Sequence, residues 1–330
     1  MRAPIPYPCL LALVACVLVL AACGHRSESP LSVAYVTAPQ VALRDRLATV
    51  YNKIGVLENG ERVEILEKQR RMVRVRTERG QEGWLELRHL AAEEVFLAFQ
   101  KLAAQHAAVP VAARGAARAA LNIHVTPGRD ADRLFQIKEG DKLEILKRAT
   151  AERPLPQAAA PAAGASQSPP VLEDWWLVRD SRSHVGWVLG RMIDVDVPVE
   201  VAQYAEGQRI VASFVLSEVE DGGRRVPQYL LMLTEPRDGL PFDFNQFRVF
   251  TWNAGRDRYE TAYRERRLLG RLPVRVGREN FGREGELPAF TITVQLPDES
   301  WEERKYKMSG VIVRRILPPG APTPARSSRR

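Results

Sequence analysis

The sequence predicts a mainly β protein: two small barrels joined by a short helix, followed by an antiparallel β-sandwich or barrel. Three observations carry that expectation. A block of residues recurs, with 57–66 matched by 137–146 at an offset of 80 and sharing Gly60/Gly140, Glu64/Glu144, Ile65/Ile145 and Leu66/Leu146. Met72-Val73-Arg74-Val75-Arg76 alternates apolar and polar residues with the period of two expected of a half-buried strand. Beyond Pro198, turn signals such as Asp221-Gly222-Gly223 and Ala254-Gly255-Arg256-Asp257 separate apolar runs at hairpin spacing.

Taken in order, residues 1–22 read as an export leader. Arg2 supplies the positive start, and residues 10–20 are an unbroken apolar run. The run is too short to span a bilayer, which needs about 20 residues, but it has the length of a secretory apolar core. The small pair Ala21-Ala22 then precedes Cys23. This stretch resembles the lipobox of bacterial lipoproteins. The resemblance implies cleavage before Cys23 and acylation of that cysteine, leaving 23–30 as a lipid-anchored tether. A single acyl chain holds a protein only marginally and two or more hold it stably. The competing reading is an ordinary leader ending in a chance cysteine. Gly24 stands where an aspartate would, by the sorting rule of such lipoproteins, retain the chain at the inner membrane. The resemblance therefore implies the bacterial outer membrane, facing the periplasm.

The three cysteines are Cys9, Cys16 and Cys23. After cleavage no disulfide, thiolate metal site or cysteine nucleophile remains, so the domains depend on packed cores. The net charge is +8 and the pI near 9.6. Export argues against nucleic acid as a partner and leaves two readings, an anionic envelope partner or a solvated basic surface with no specific partner.

Residues 31–90 and 120–197 are the two copies. At the same offset of 80, Val41-Ala42-Leu43-Arg44 matches Leu121-Asn122-Ile123-His124. Met72–Arg76 then matches Trp175–Arg179, and Gly83-Trp84-Leu85 matches Gly186-Trp187-Val188, both at an offset of 103. The difference is an insertion of 23 residues in the second copy, placed in the Pro/Ala/Ser-rich segment 151–171, which is expected to be disordered. The second copy carries Leu121-Asn122-Ile123, Pro127, Gly140, Trp175 with Val178, and Gly186-Trp187-Val188. This pattern resembles the bacterial SH3-like (SH3b) family. The first copy departs from it, with Val41-Ala42-Leu43 for the usual Leu-Asn-Val and Met72 for Trp. The resemblance implies small barrels that bind cell-wall peptide or mediate protein contacts.

Within the motif, Gly60 and Gly140 suit tight turns. Gly83 and Gly186 are expected to give room for the indoles of Trp84 and Trp187, both read as core. Trp175 and Trp176 are adjacent on a strand and face opposite ways. Trp175 is assigned to the core, and Trp176 outward, against a ligand, a neighbouring domain or the long loop. The candidate ligand-binding residues are thus Trp176 and Trp175.

Residues 91–119 form a helical linker. Leu90, Val95, Phe99 and Leu102 share a face, Glu93 and Glu94 come early, and Pro110 and Gly115 end the helix, which is expected over about 91–108 and packed on a barrel. Residues 198–317 form the antiparallel β domain, and 318–330 a disordered basic tail.

No catalytic constellation is legible. His25, His89, His106, His124 and His184 are dispersed, without a metal-binding pair. There is no Gly-rich phosphate loop and no nucleophile elbow. Asp243, Asp257 and Glu260 near Trp252 fit turn formers better than a sugar-binding cleft. The sequence thus reads as a non-enzyme with no metal and no cofactor. It is expected to be a membrane-anchored envelope lipoprotein that contacts peptidoglycan or an envelope protein. The alternative is an accessory or assembly subunit of an envelope complex with no wall binding.

Overall fold

A computed structural model describes residues 29–154 and 170–317. The leader, Cys23, residues 155–169 of the inserted loop and the tail 318–330 lie outside the described residues. Three antiparallel seven-stranded sheets make up the fold.

The first sheet comprises β1 (Ser32–Val36), β2 (Gln40–Arg44), β3 (Lys53–Glu58), β4 (Arg62–Gln69), β5 (Met72–Thr77), β6 (Glu82–Glu86) and β7 (Leu90–Ala92). Its spatial order is β3-β2-β6-β5-β4-β1-β7. The second comprises β8 (Ala113–Ala117), β9 (Leu121–His124), β10 (Arg133–Ile137), β11 (Lys142–Glu152), β12 (Leu172–Arg179), β13 (Val185–Leu189) and β14 (Ile193–Val195). Its order is β10-β9-β13-β12-β11-β8-β14. Every strand of the first sheet has its counterpart seven strands later in the same place, so the sequence repeat is a repeat of topology.

Gly60 and Gly140 take φ values of +83° and +82° at equivalent turns, where a side chain would be strained. Gly83 and Gly186 serve a different purpose from the one expected. A Cβ on Gly83 would lie 2.5 Å from Leu43 Cγ, and one on Gly186 would lie 2.3 Å from Ile123 Cγ2. The missing side chains let β6 and β13 close onto β2 and β9, which completes each barrel. The indoles themselves point away. Trp84 is half-exposed and sits opposite Arg44 and Arg74 in the ladders. Trp187 is buried, but in an apolar cluster outside the barrel core, with Leu146, Leu177 and Val185. The barrel cores are filled instead by Leu43, Val63, Val73, Val75 and Leu85 in the first copy, and by Ile123, Ile145, Trp176, Val178 and Val188 in the second.

Helix α1 (Glu93–Gln105) is shorter than the expected span. It packs on both barrels rather than one: Phe96 stacks on Tyr35 of β1 with ring centroids 4.0 Å apart, and Phe99 meets Phe135 of β10 edge-on at 5.2 Å. Two boundaries also move. Residues 113–117 are not linker, because β8 pairs with both β11 and β14. Its alternation of buried alanines gave no β-branched or aromatic signal. Ala151 and Glu152 are not loop, because β11 continues against Glu173 and Leu172 of β12.

The third sheet is a meander of β15 (Arg209–Asp221), β16 (Arg224–Thr234), β17 (Phe244–Asn253), β18 (Arg258–Asn280), β19 (Glu286–Gln295), β20 (Trp301–Ser309) and β21 (Ile312–Ile316). The 23-residue β18 pairs with β17 along its first half and β19 along its second, so the sheet curls into a half-barrel. Phe247, Val249, Phe290, Ile292 and Tyr306 fill its inner face, in one apolar cluster continuous with the core of the second barrel. Helix α2 (Val199–Ala202) and the residues after it cover the other face, burying Val201 and setting the Tyr204 ring at a tilt against Phe250.

Ion pairs seal the second barrel. Glu173 is 3% exposed. It accepts hydrogen bonds from Arg129 Nε and Nη2 at 2.7 and 2.6 Å and from Arg191 Nη1 at 3.0 Å. The Arg129 hydrogen bonds outweigh burial and hold the Glu173 carboxyl below its ordinary value of 4.5. A depressed carboxyl stabilises the fold above its unfolded pKa and loses that contribution as pH falls through the folded one. Glu173→Gln is therefore expected to flatten the decline of the urea midpoint below pH 4.5 while lowering the midpoint at neutral pH. An unchanged acid limb would show that the pair contributes nothing.

Candidate ligand groove between the barrels

The two barrels meet along a polar seam pinned by Asn59. This residue opens the β3–β4 turn of the first barrel. Its Nδ2 donates to Val36 O, Thr37 O and, across the seam, Leu134 O at 2.8 Å. Its Oδ1 accepts from the Gln136 backbone N–H at 3.0 Å. One side chain thus satisfies backbone groups of both copies, which fixes their relative position.

A groove of about 450 Å³ opens beside this pin, lined by Gln40, Glu58, Gln136, Lys138, Asp180 and Arg182 among others. A second hollow of about 440 Å³ adjoins it, shares Asn59 and Arg182, and has the aromatic floor Phe96, Phe99, Phe135 and His184. The His184 ring stacks on Phe135 with centroids 3.7 Å apart. Its Nδ1 lies 2.9 Å from Asp180 Oδ2. The other Asp180 oxygen accepts the backbone N–H groups of Arg182 and His184. Burial works against the charge on Asp180, but His184 and these N–H donors hold its carboxyl below the ordinary range. The result is a fixed turn that presents Arg182 to the groove. Among the described residues, Glu58, Lys138 and Arg182 make no ion pair, so charges of both signs are available to a ligand.

The residues singled out from sequence lie elsewhere. Trp176 does not face outward: it is 6% exposed and belongs to the interior of the second barrel. Trp175 is 2% exposed, in the outer cluster with Trp187 and under Leu102, Val109 and Val111, with its ring edge-on to His124 at 5.3 Å. The structure brings neither to the groove. Cys23 lies outside the described residues. Asp243 joins a buried ion cluster at the boundary with the third domain. Asp257 occupies a turn at φ +47°, and Glu260 binds Asn253, Arg256 and Arg258 within its own hairpin, which lowers its pKa to about 2. Asp257 and Glu260 thus have the turn roles expected of them, whereas Asp243 holds the junction between domains through Arg148 and the Leu272 N–H.

The groove residues were missed for identifiable reasons. Asn59 was visible only as a turn former, because its reach to residue 134 is a long-range event. Asp180 and His184 stand four apart on the turn between β12 and β13, a spacing that could have been noticed. Among the described residues no group of His, Cys, Asp and Glu is arranged to hold a metal ion. No helix there is long and apolar enough to cross a membrane.

Residues 40–91 match the bacterial SH3 domain family. That segment, in the first barrel, is a bacterial SH3 domain; it is the copy that departs further from the family pattern. No curated protein matches the chain. Among solved structures, similarity is found to NlpC2 from Trichomonas vaginalis (11% identity, TM-score 0.18, covering 54% of each chain). It is found also to an NlpC/P60 family protein from Bacillus cereus ATCC 10987 (11% identity, TM-score 0.23, 57% of this chain and 65% of that one). A third is NlpC1 from Trichomonas vaginalis (9% identity, TM-score 0.18, 85% and 89%). The chain thus spans 54% and 65% of the length of the first two. TM-scores this low do not establish a shared overall arrangement.

Proposed function

We propose that this chain is a lipoprotein of the bacterial cell envelope, held in the outer membrane through acylated Cys23 and facing the periplasm, and that its paired barrels form a non-catalytic module binding peptidoglycan. In this reading the second barrel is a bacterial SH3 domain like the first. The observation that carries it is the groove at the seam, which needs residues of both copies. Glu58, Lys138 and Arg182, which make no ion pair among the described residues, suit a peptide bearing free amino and carboxyl groups, as wall stem peptides do, and the aromatic floor beside the groove suits short aliphatic side chains.

A second reading, an envelope-protein partner in place of the wall, is favoured by one feature. Leu47, Val50, Tyr51, Ile54 and Val56 are all more than a third exposed around the edge strand β3 of the first barrel. Such an edge is a site for strand addition by another chain.

Sedimentation of the full chain with purified sacculi over a salt series separates the two. A basic protein adheres to any polyanion at low salt, whereas at about 1 M the Debye length is near 3 Å and long-range attraction is gone. Retention at that salt is the expected result, and complete release would favour the protein partner. The anchor is tested by mass spectrometry of the mature N-terminus. Acylated Cys23 is expected, and an unmodified start elsewhere would remove the membrane from the proposal.

A further inference from the structure

The outer face of the third domain carries a cluster of charged side chains around a hollow. Arg248 of β17 is 1% exposed. Its Nη1 and Nη2 lie 2.8 and 2.7 Å from the two oxygens of Glu206, and Nη1 also donates to Tyr204 O. Glu206 itself sits at φ +52°, beyond α2, in the segment that covers this face. Arg264, opposite Arg248 on β18, shares the same carboxylate at 3.4 Å. One Glu206 therefore serves two guanidinium groups.

Two residues along the strand, Gln246 is 6% exposed and borders the same hollow, of about 400 Å³. Its Oε1 accepts from Arg266 Nε at 2.9 Å. That bond fixes the amide orientation, since only the oxygen can accept, and leaves Nε2 as a donor. Nε2 has no partner among the described residues, and neither has Arg248 Nε. Arg266 and Arg267 also line the hollow and have no carboxylate within ion-pair distance among the described residues. The remaining acid there, Glu235, is already bound by Arg237 at 2.9 Å. Positive charge is thus in excess. Burial first, and then the neighbouring Arg248 and Arg266, depress the pKa of Arg264 against the opposing pull of Glu206.

We propose that this hollow is an oxyanion-binding site: Gln246 Nε2 and the guanidinium groups of Arg266 and Arg267 hold the carboxylate or phosphate group of a small anionic ligand. Guanidinium forks match both groups in geometry, and charge-assisted hydrogen bonds are the strong ones. A buried amide N–H₂ without a partner is costly, and a bound oxygen relieves that cost. The carboxylates of Glu206 and Glu235, tied up by Arg248 and Arg237, set the rim and discriminate against ligands carrying a second negative group in the wrong place.

Isothermal titration of the full chain with inorganic phosphate and, separately, with acetate, at ionic strength fixed with sodium chloride, tests this. Saturable binding of phosphate alone assigns a phosphoryl ligand, and saturable binding of acetate a carboxylate ligand. Either is expected to weaken about tenfold or more in Arg266→Gln, through loss of one charge-assisted hydrogen bond. Arg283→Gln, an equal change of charge at an exposed residue outside the hollow, is expected to bind as the unchanged chain does. Arg266 is exposed but also holds Gln246 Oε1, so equal melting temperatures are verified first, and Arg267→Gln, at an exposed residue of the same hollow that makes no such bond to Gln246, is expected to weaken binding likewise. Absence of saturable binding for both anions, or an equal loss in Arg283→Gln, overturns the proposal.

Discussion

Arg148→Ala is expected to lower stability by about 3–5 kcal/mol, the cost typical of removing one partner from a buried ion pair. Arg148 stands on β11 where the second barrel meets the third domain. Its Nε donates to Asp243 at 2.8 Å and its Nη1 to Asp174 at 2.7 Å, while Nη2 donates to the carbonyls of Leu240 and Phe242. Asp174 also accepts from the Gly239 N–H and from Arg209, and Asp243 from the Leu272 N–H. Side-chain exposure is 8% for Arg148 and 6% for Asp174. Alanine therefore removes the cation from between two largely buried carboxylates and takes a donor from two carbonyls. Burial already pushes the Asp174 carboxyl above its ordinary value despite Arg148. Without the cation it rises further, so the loss should shrink as the pH is lowered and Asp174 takes up a proton. Urea unfolding at neutral and mildly acid pH reads both effects. A loss under about 1 kcal/mol, or one that does not depend on pH, would mean that the junction is held by its apolar contacts alone.

Trp176→Ala is expected to cost about 3–5 kcal/mol, as other large aromatic truncations in cores do. The indole fills the small interior of the second barrel beside Ile123, Ile145, Val178 and Val188. The interior is close-packed, so removing the indole leaves a cavity that its neighbours close only in part. Loss of tertiary circular dichroism and a much lower melting temperature are the expected results. A folded variant of near-normal stability with impaired ligand binding would restore the surface role first read for this residue.

That misreading shows where local sequence stops being informative. The duplication was legible because its signals are local: turn glycines at fixed offsets and strands of alternating polarity. The half-barrel was legible as an antiparallel run for the same reason, through its hairpin turns. The facing of Trp175 and Trp176 was not. Period two says that neighbours point to opposite faces, but it names the inner face only when the other is polar. Six consecutive residues of β12, Glu173 to Val178, are buried. The outer face is covered by the end of α1 and by Val109 and Val111, a packing event between distant segments. The strand β8 was hidden because its alanines carry little β-propensity, so its pairing with β11 and β14 decides it. The seam groove was invisible because Asn59 reaches across 75 residues of sequence to Leu134.

In the proposed function the wall is bound in the groove between the copies. The most direct test is sacculus sedimentation at about 1 M salt with the full chain and its Lys138→Glu/Arg182→Glu variant, after equal melting temperatures have been verified. Both side chains border the groove and neither makes an ion pair among the described residues, so folding should be spared while attraction for the peptide's carboxyl groups turns to repulsion. Retention of the unchanged chain and release of the variant is the predicted result. Equal retention of the two would contradict the groove as the binding site.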